Sequence, residues 1–203
     1  MIPPEYLVRT FWDAPAREPH GDSSVDAVYR AVGHSLSQWE LLEVSLSSLF
    51  GILVQSTSPA AKRAYGAIVS AAGRIDALDR AAEVYFSERD ETQHEYYNNL
   101  SKIVRYASPR RNEIAHGIAE CYADISVLGG GYYLTAPAYN SRKHNLSIDL
   151  ETASDDPFDF SGTKYAYTSG QILEFGRLFG VVKQITANLC RRSGRPTVQI
   201  EPL

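Results

Sequence analysis

Between Asp22 and Leu53 apolar residues return every three or four positions: Val25, Val28, Val32, Leu36, Trp39, Leu42, Leu46, Leu49 and Leu53. Polar residues fill the gaps, which is the pattern of a helix with one buried face. The stretch "DSSVDAVYR" supplies an N-cap, and the run predicts one helix roughly 45 Å long at 1.5 Å per residue. Gly33 and Gly51 lower its propensity without stopping it. A second start follows at "STSPAAKRAYGAIVSAAG", with Ser58 as cap and Pro59 at the first helical position. Gly73 is read as the break before a helix built on Ile75, Leu78, Ala82 and Tyr85. The polar "SERDE" leads to another helix through Tyr96, Leu100 and Ile103. Pro109 marks either a kink or the first turn of a new helix capped by Ser108. In both cases "RRNEIAHGIAECY" reads as helical.

The period then drops to two. "ISVLGGGYYLTAP" alternates around a triple glycine and predicts a hairpin. "NLSIDL" and "KYAYT" are further strand candidates, joined by the acidic "ETASDDPFDFSG" loop. A last helix starts at Ser169, with Ile172, Phe175, Phe179, Val182, Ile185 and Leu189 as its stripe. The expected fold is mainly α: a bundle of about five helices spanning 22–203, with a small β insertion at about 124–168 before the final helix. Residues 1–21 are read as an extended proline-rich arm whose Tyr6, Phe11 and Trp12 dock on the domain or on a partner.

Composition narrows the function classes. The chain has 203 residues, 44% of them apolar, enough for one core. A net charge of −4 argues against a general polyanion binder, so any nucleic-acid contact must be a local patch. Cys121 and Cys190 lie far apart with no CxxC spacing and are read as reduced, buried thiols. The start "MIPPEYLVRTFW" lacks the apolar run of a signal peptide, and no stretch is long enough to span a membrane. The expectation is a soluble, cytoplasmic protein without cofactor.

One local patch stands out. "SKIVRYASPRRN", residues 101–112, holds Lys102, Arg105, Arg110 and Arg111 with no acid, directly after the acidic "ERDETQHE". A solvated face of mixed charge accounts for it, and so does an anion-binding patch for a phosphate backbone. The patch runs into "RNEIAHG", Arg111 to Gly117. Histidine transfers protons near neutral pH, and arginine stays charged and grips two phosphate oxygens in its fork.

This string resembles the signature of the HEPN superfamily (higher eukaryotes and prokaryotes nucleotide-binding domains): an arginine, often followed by asparagine, then a histidine after four to six residues. The looser pattern also fits Arg89 to His94 and Arg110 to His116; the fuller match and its place late in the bundle carry the resemblance. It covers the helical core, about 22–122 and 165–192. Ile118 stands where toxins with nucleotidyltransferase antitoxins usually have tyrosine, so that subfamily is not implied. The resemblance implies metal-independent cleavage of RNA by its own 2′-hydroxyl, with Arg111, Asn112 and His116 catalytic and Lys102, Arg105 and Arg110 on the phosphates. It further implies a homodimer with a composite site, and a toxin or antiviral-defence role with an antitoxin or defence-system partner. A catalytically silent module binding RNA, nucleotide or a partner protein is the alternative.

Two other readings remain open. "ETQH" (Glu91, His94) and "EIAH" (Glu113, His116), with Glu40 and Glu43, have the Glu-x-x-His form of di-iron bundles. The two are close in sequence and the last helix offers only Glu174, so no metal site is expected. Glu43 falls near the buried stripe, where an unpaired carboxylate is costly. It either pairs with an arginine of the bundle or supports His116 or Arg111.

Overall fold

The computed structural model describes residues 2–56, 58–87, 91–122, 130–137 and 165–194. Among the described residues there are five α-helices: α1 Val25–Leu53, α2 Pro59–Gly66, α3 Ala71–Phe86, α4 Glu91–His116 and α5 Ser169–Ser193. A three-stranded antiparallel sheet precedes α5, with β1 Ile118–Tyr122, β2 Gly131–Thr135 and β3 Ala166–Tyr167 in that spatial order. The chain is therefore mainly helical with a small sheet before the last helix. No helix among the described residues is long and apolar enough to cross a membrane. The predicted strand "NLSIDL" and the acidic loop after it lie outside the described residues.

Two compact units divide the chain: Met1–Trp12, Trp39–Ser108 and Phe179–Leu203 form one, Asp13–Gln38 and Pro109–Leu178 the other. In the first unit, Leu42, Leu46, Leu49 and Leu53 are all buried, as their three-and-four spacing requires. Trp39 packs edge-on against Phe179, ring centroids 5.1 Å apart at 82°. Ser58 caps α2 by accepting from the Ala60 N–H, as expected of Ser-Pro at a helix start. The next helix starts earlier than Gly73. Ser70 is its cap, accepting from the Gly73 N–H at 3.0 Å, so that glycine lies inside the first turn of α3. On the α3–α4 seam, Asp79 accepts from the Tyr97 and Ser101 hydroxyls at 2.6 and 2.8 Å.

The N-terminal segment differs from an extended arm. Pro4–Leu7 and Arg9–Trp12 are two short 3₁₀ turns. Trp12 is buried and donates its indole N–H to the Tyr6 carbonyl at 2.9 Å, with Tyr6 and Phe11 packed in an edge-on pair. The cysteines also differ from two buried thiols. Cys121 is exposed, while Cys190 is partly buried, which pushes its thiol up to about 11.

In the second unit the helical reading of "IAECY" is overturned. α4 stops at His116, and Ile118–Tyr122 pairs antiparallel with β2, from Ile118 opposite Thr135 to Tyr122 opposite Gly131. The sheet thus begins before residue 124. Gly117 makes the junction possible, because a Cβ there would stand 2.6 Å from Leu134 Cγ and 2.9 Å from the Glu113 carbonyl oxygen. Gly130 and Gly131 serve a close approach of the segment around Gly21, whose N–H donates to the Gly130 carbonyl at 3.3 Å. Gly131, at φ +134°, lies against Gly21, and Asp22 exchanges both backbone hydrogen bonds with Tyr132 at 2.9 and 2.8 Å. Asp22 then caps α5: its carboxylate accepts from the Ser169 N–H at 2.7 Å and hydroxyl at 2.5 Å. Thr168 and Gln171 add a reciprocal capping box, and Ser24 caps α1. Pro109 neither ends α4 nor starts a new helix; it lies within one continuous element.

Candidate functional site

The last turns of α4 carry the arginine–asparagine–histidine string, and the 3.6-residue period sorts it into two faces. Arg110, Glu113 and Ile114 point inward. Glu113 is 8% exposed, and the side chain of Arg110 only 12%. Arg110 Nη2 lies 3.1 Å from Glu113 Oε1, and Arg110 Nη1 donates to the Tyr167 hydroxyl at 3.1 Å. That hydroxyl in turn donates to Glu113 Oε2 at 2.6 Å, closing a three-residue loop of charge-assisted bonds. Tyr165, just before β3, donates to the Glu113 main-chain carbonyl at 3.0 Å. This carbonyl belongs to the last turn of α4. The two phenols stack at 4.8 Å and 16°. Burial first, and Glu113 second, hold both hydroxyls well above the usual tyrosine range, so they act as neutral donors.

The outer face holds Asn112 and His116, both exposed. They are four residues apart, about 40° in azimuth, and so share a direction. Arg111 is half-buried on the flank and its Nη1 donates to Asn112 Oδ1 at 3.2 Å. Arg111 and His116 are about 140° apart around the axis. The motif's acid is turned inward and neutralised by Arg110. The exposed face therefore presents an amide and an imidazole, with a guanidinium beside them and no acid of the motif opposing an anion. Such a face offers a cation for a phosphate and one proton-transfer group.

Two arginines of the basic patch have acidic partners. Arg105 is held by Asp76 at 2.8 Å and Asp79 at 2.5 Å, and these two carboxylates keep its guanidinium protonated even more firmly than usual. Arg110 is held in the loop above. Both were expected on phosphates; here each has a carboxylate partner, Arg105 from α3 and Arg110 from its own helix. Lys102 is exposed. Glu43 takes the simpler of its two roles, pairing with Arg74 at 3.4 Å and accepting from Tyr65 at 3.3 Å. The acid beside the motif is Glu113.

The di-metal alternative finds no support in side-chain placement. His94 stacks on Phe86 at 5.5 Å and 18°, and Glu113 and Glu43 each have a cationic partner. Among the described residues no three His, Cys, Asp or Glu side chains are grouped to hold a metal. Arg89 lies outside the described residues.

Sequence reasoning passed over Tyr165, Tyr167 and the structural use of Glu113. Two signals were available: the i,i+3 spacing of Arg110 and Glu113, and two tyrosines at strand period in "YAY". Neither says that strand and helix meet. No protein-family model, curated protein or solved structure matches the chain.

Proposed function

We propose that the chain is a metal-independent endoribonuclease of HEPN type, with Arg111, Asn112 and His116 as its catalytic residues. The observation that carries the reading is the outer face of α4, where Asn112 and His116 are exposed together beside Arg111. Attack of a ribose 2′-hydroxyl on the adjacent phosphate needs a base, an acid and a cation for the charged transition state. One chain supplies one histidine, so two copies meet to form the working site, each contributing His116 and Arg111. Lys102 is an exposed cation of the proposed phosphate patch. The resemblance to HEPN proteins supports a toxin or antiviral-defence role, with RNA as substrate and an antitoxin or defence-system protein as partner.

The test is incubation of the purified protein with mixed RNA, with and without chelator. Cleavage persists in chelator and leaves a 2′,3′-cyclic phosphate, or its hydrolysis product, and a 5′-hydroxyl. His116→Ala lowers the rate roughly 10²- to 10⁴-fold, and Arg111→Ala lowers it comparably, by roughly 10²- to 10³-fold. Arg89→Ala and His94→Ala leave it unchanged. Folded His116→Ala that cleaves like wild type removes the assignment. Binding without cleavage by wild type assigns the silent module instead.

A further inference from the structure

We infer that Arg110, Glu113, Tyr165 and Tyr167 form a positioning unit that sets the azimuth of the Asn112–His116 face, with Arg110 committed to this unit rather than to RNA. The inference rests on the ribonuclease reading for its consequence in catalysis, but its geometry stands apart from it. Three donors converge on one residue of the last helical turn. Tyr167 and Arg110 hold the Glu113 carboxylate, and Tyr165 holds its main-chain oxygen. A helix held by its side chain alone can still fray from its end, and one held by its backbone alone can still roll. Here one residue is fixed in both ways, by two phenols that are 54 and 52 residues away in sequence. Both phenols are buried, and Tyr167 is packed edge-on against Phe175 at 5.6 Å.

Because Asn112 and His116 extend from this same turn, its roll determines where the imidazole and amide point. A displacement of about 1 Å at a reacting group is enough to cost on the order of 10² in rate. None of the four residues is placed on substrate, so they are positioning residues. The arrangement also explains why an arginine in a phosphate-binding string is mostly buried: both of its terminal nitrogens face Glu113 and Tyr167.

The test uses the full chain and three variants, Tyr165→Phe, Tyr167→Phe and Arg110→Gln, with three readouts. Single-turnover cleavage of an oligoribonucleotide falls at least tenfold in Tyr167→Phe, while its KM stays within about twofold. Amide hydrogen exchange in the last turn of α4 accelerates in Tyr165→Phe and Tyr167→Phe, with α3 amides unchanged. The slope of log Kd against log salt is the same for Arg110→Gln as for wild type. Should Arg110→Gln not fold, Arg110→Lys, which keeps the charge and loses the fork, is read by cleavage: a fall like that of Tyr167→Phe is expected, and wild-type turnover contradicts the unit. Wild-type turnover and exchange in Tyr167→Phe overturns the inference. So does a uniform rise in exchange over α3 and α4, which would mean global stability only. A salt slope reduced by about 0.7, the value of one lost phosphate contact on a single strand, returns Arg110 to the RNA. If wild type cuts no RNA, the ribonuclease reading falls, and the exchange measurement alone decides whether the unit fixes the turn.

Discussion

Gly117→Ala probes the junction on which the candidate face depends. The added Cβ would lie 2.6 Å from Leu134 Cγ, 3.0 Å from Leu134 Cδ1 and 2.9 Å from the Glu113 carbonyl oxygen. Ordinary contacts of this kind are about 3.5–4.0 Å, so the overlap is close to 1 Å. Leu134 is 2% exposed and has nowhere to swing, and the carbonyl is main chain held by Tyr165. Overpacking of this severity falls at the upper end of the usual range, about 2–3 kcal/mol. In a chain of this size that lowers the melting midpoint by roughly 4–12 °C. Urea denaturation followed by circular dichroism measures it. Leu134→Ala by itself costs about 2–5 kcal/mol through the cavity it leaves. The double variant should cost less than the sum of the singles by about 1–2 kcal/mol, because the side chain that clashes is gone. It does not recover fully, since the Glu113 carbonyl remains. A neutral Gly117→Ala, or strict additivity in the cycle, would refute the junction as described.

Two further predictions concern caps and buried phenols. Asp22→Ala removes both acceptors from the start of α5 and should destabilise by about 1–2 kcal/mol. Asp22→Asn keeps one acceptor and should cost less, roughly the 0.3–1 kcal/mol that a negative charge contributes at a helix N-terminus, and that loss should shrink in high salt; a loss in Asp22→Asn unchanged by salt would contradict the charge argument. Tyr65, Tyr97, Tyr165 and Tyr167 are each raised above the ordinary value near 10, chiefly by burial and then by Glu43, Asp79 or Glu113. Their folded-state values exceed the unfolded one, so the stability they confer is complete below about pH 10 and is lost as pH rises beyond it. In a spectrophotometric titration these four should ionise only with unfolding, and reversible ionisation of all thirteen tyrosines with unchanged circular dichroism would disprove their burial.

The sequence by itself determined whatever depends on neighbours within a turn or two. The stripe from Val28 to Leu53 is helical and its leucines from Leu42 to Leu53 are buried, because a period of three and four leaves one apolar face. Ser58 and Pro59 open α2, since a hydroxyl acceptor and a fixed φ suit a helix start wherever it lies. The Arg111–Asn112–His116 string was visible, and the helix under it gives the shared direction of Asn112 and His116. Tertiary structure decided the rest. "IAECY" has no local reason to leave the helix until β2 comes alongside and Gly117 admits Leu134. Pro109 could end a helix by its missing N–H, a loss of about 3 kcal/mol in an interior position, yet α4 continues through it. Arg105 and Arg110 read as a patch because a sequence shows charges but not their partners. Asp76 and Asp79, 29 and 26 residues away, hold the first, while Tyr167, 57 residues away, joins Glu113 in holding the second. Local periodicity fixes which way a side chain points from its helix; what it meets there depends on strands and helices brought in from far along the chain, by burial that no short window records.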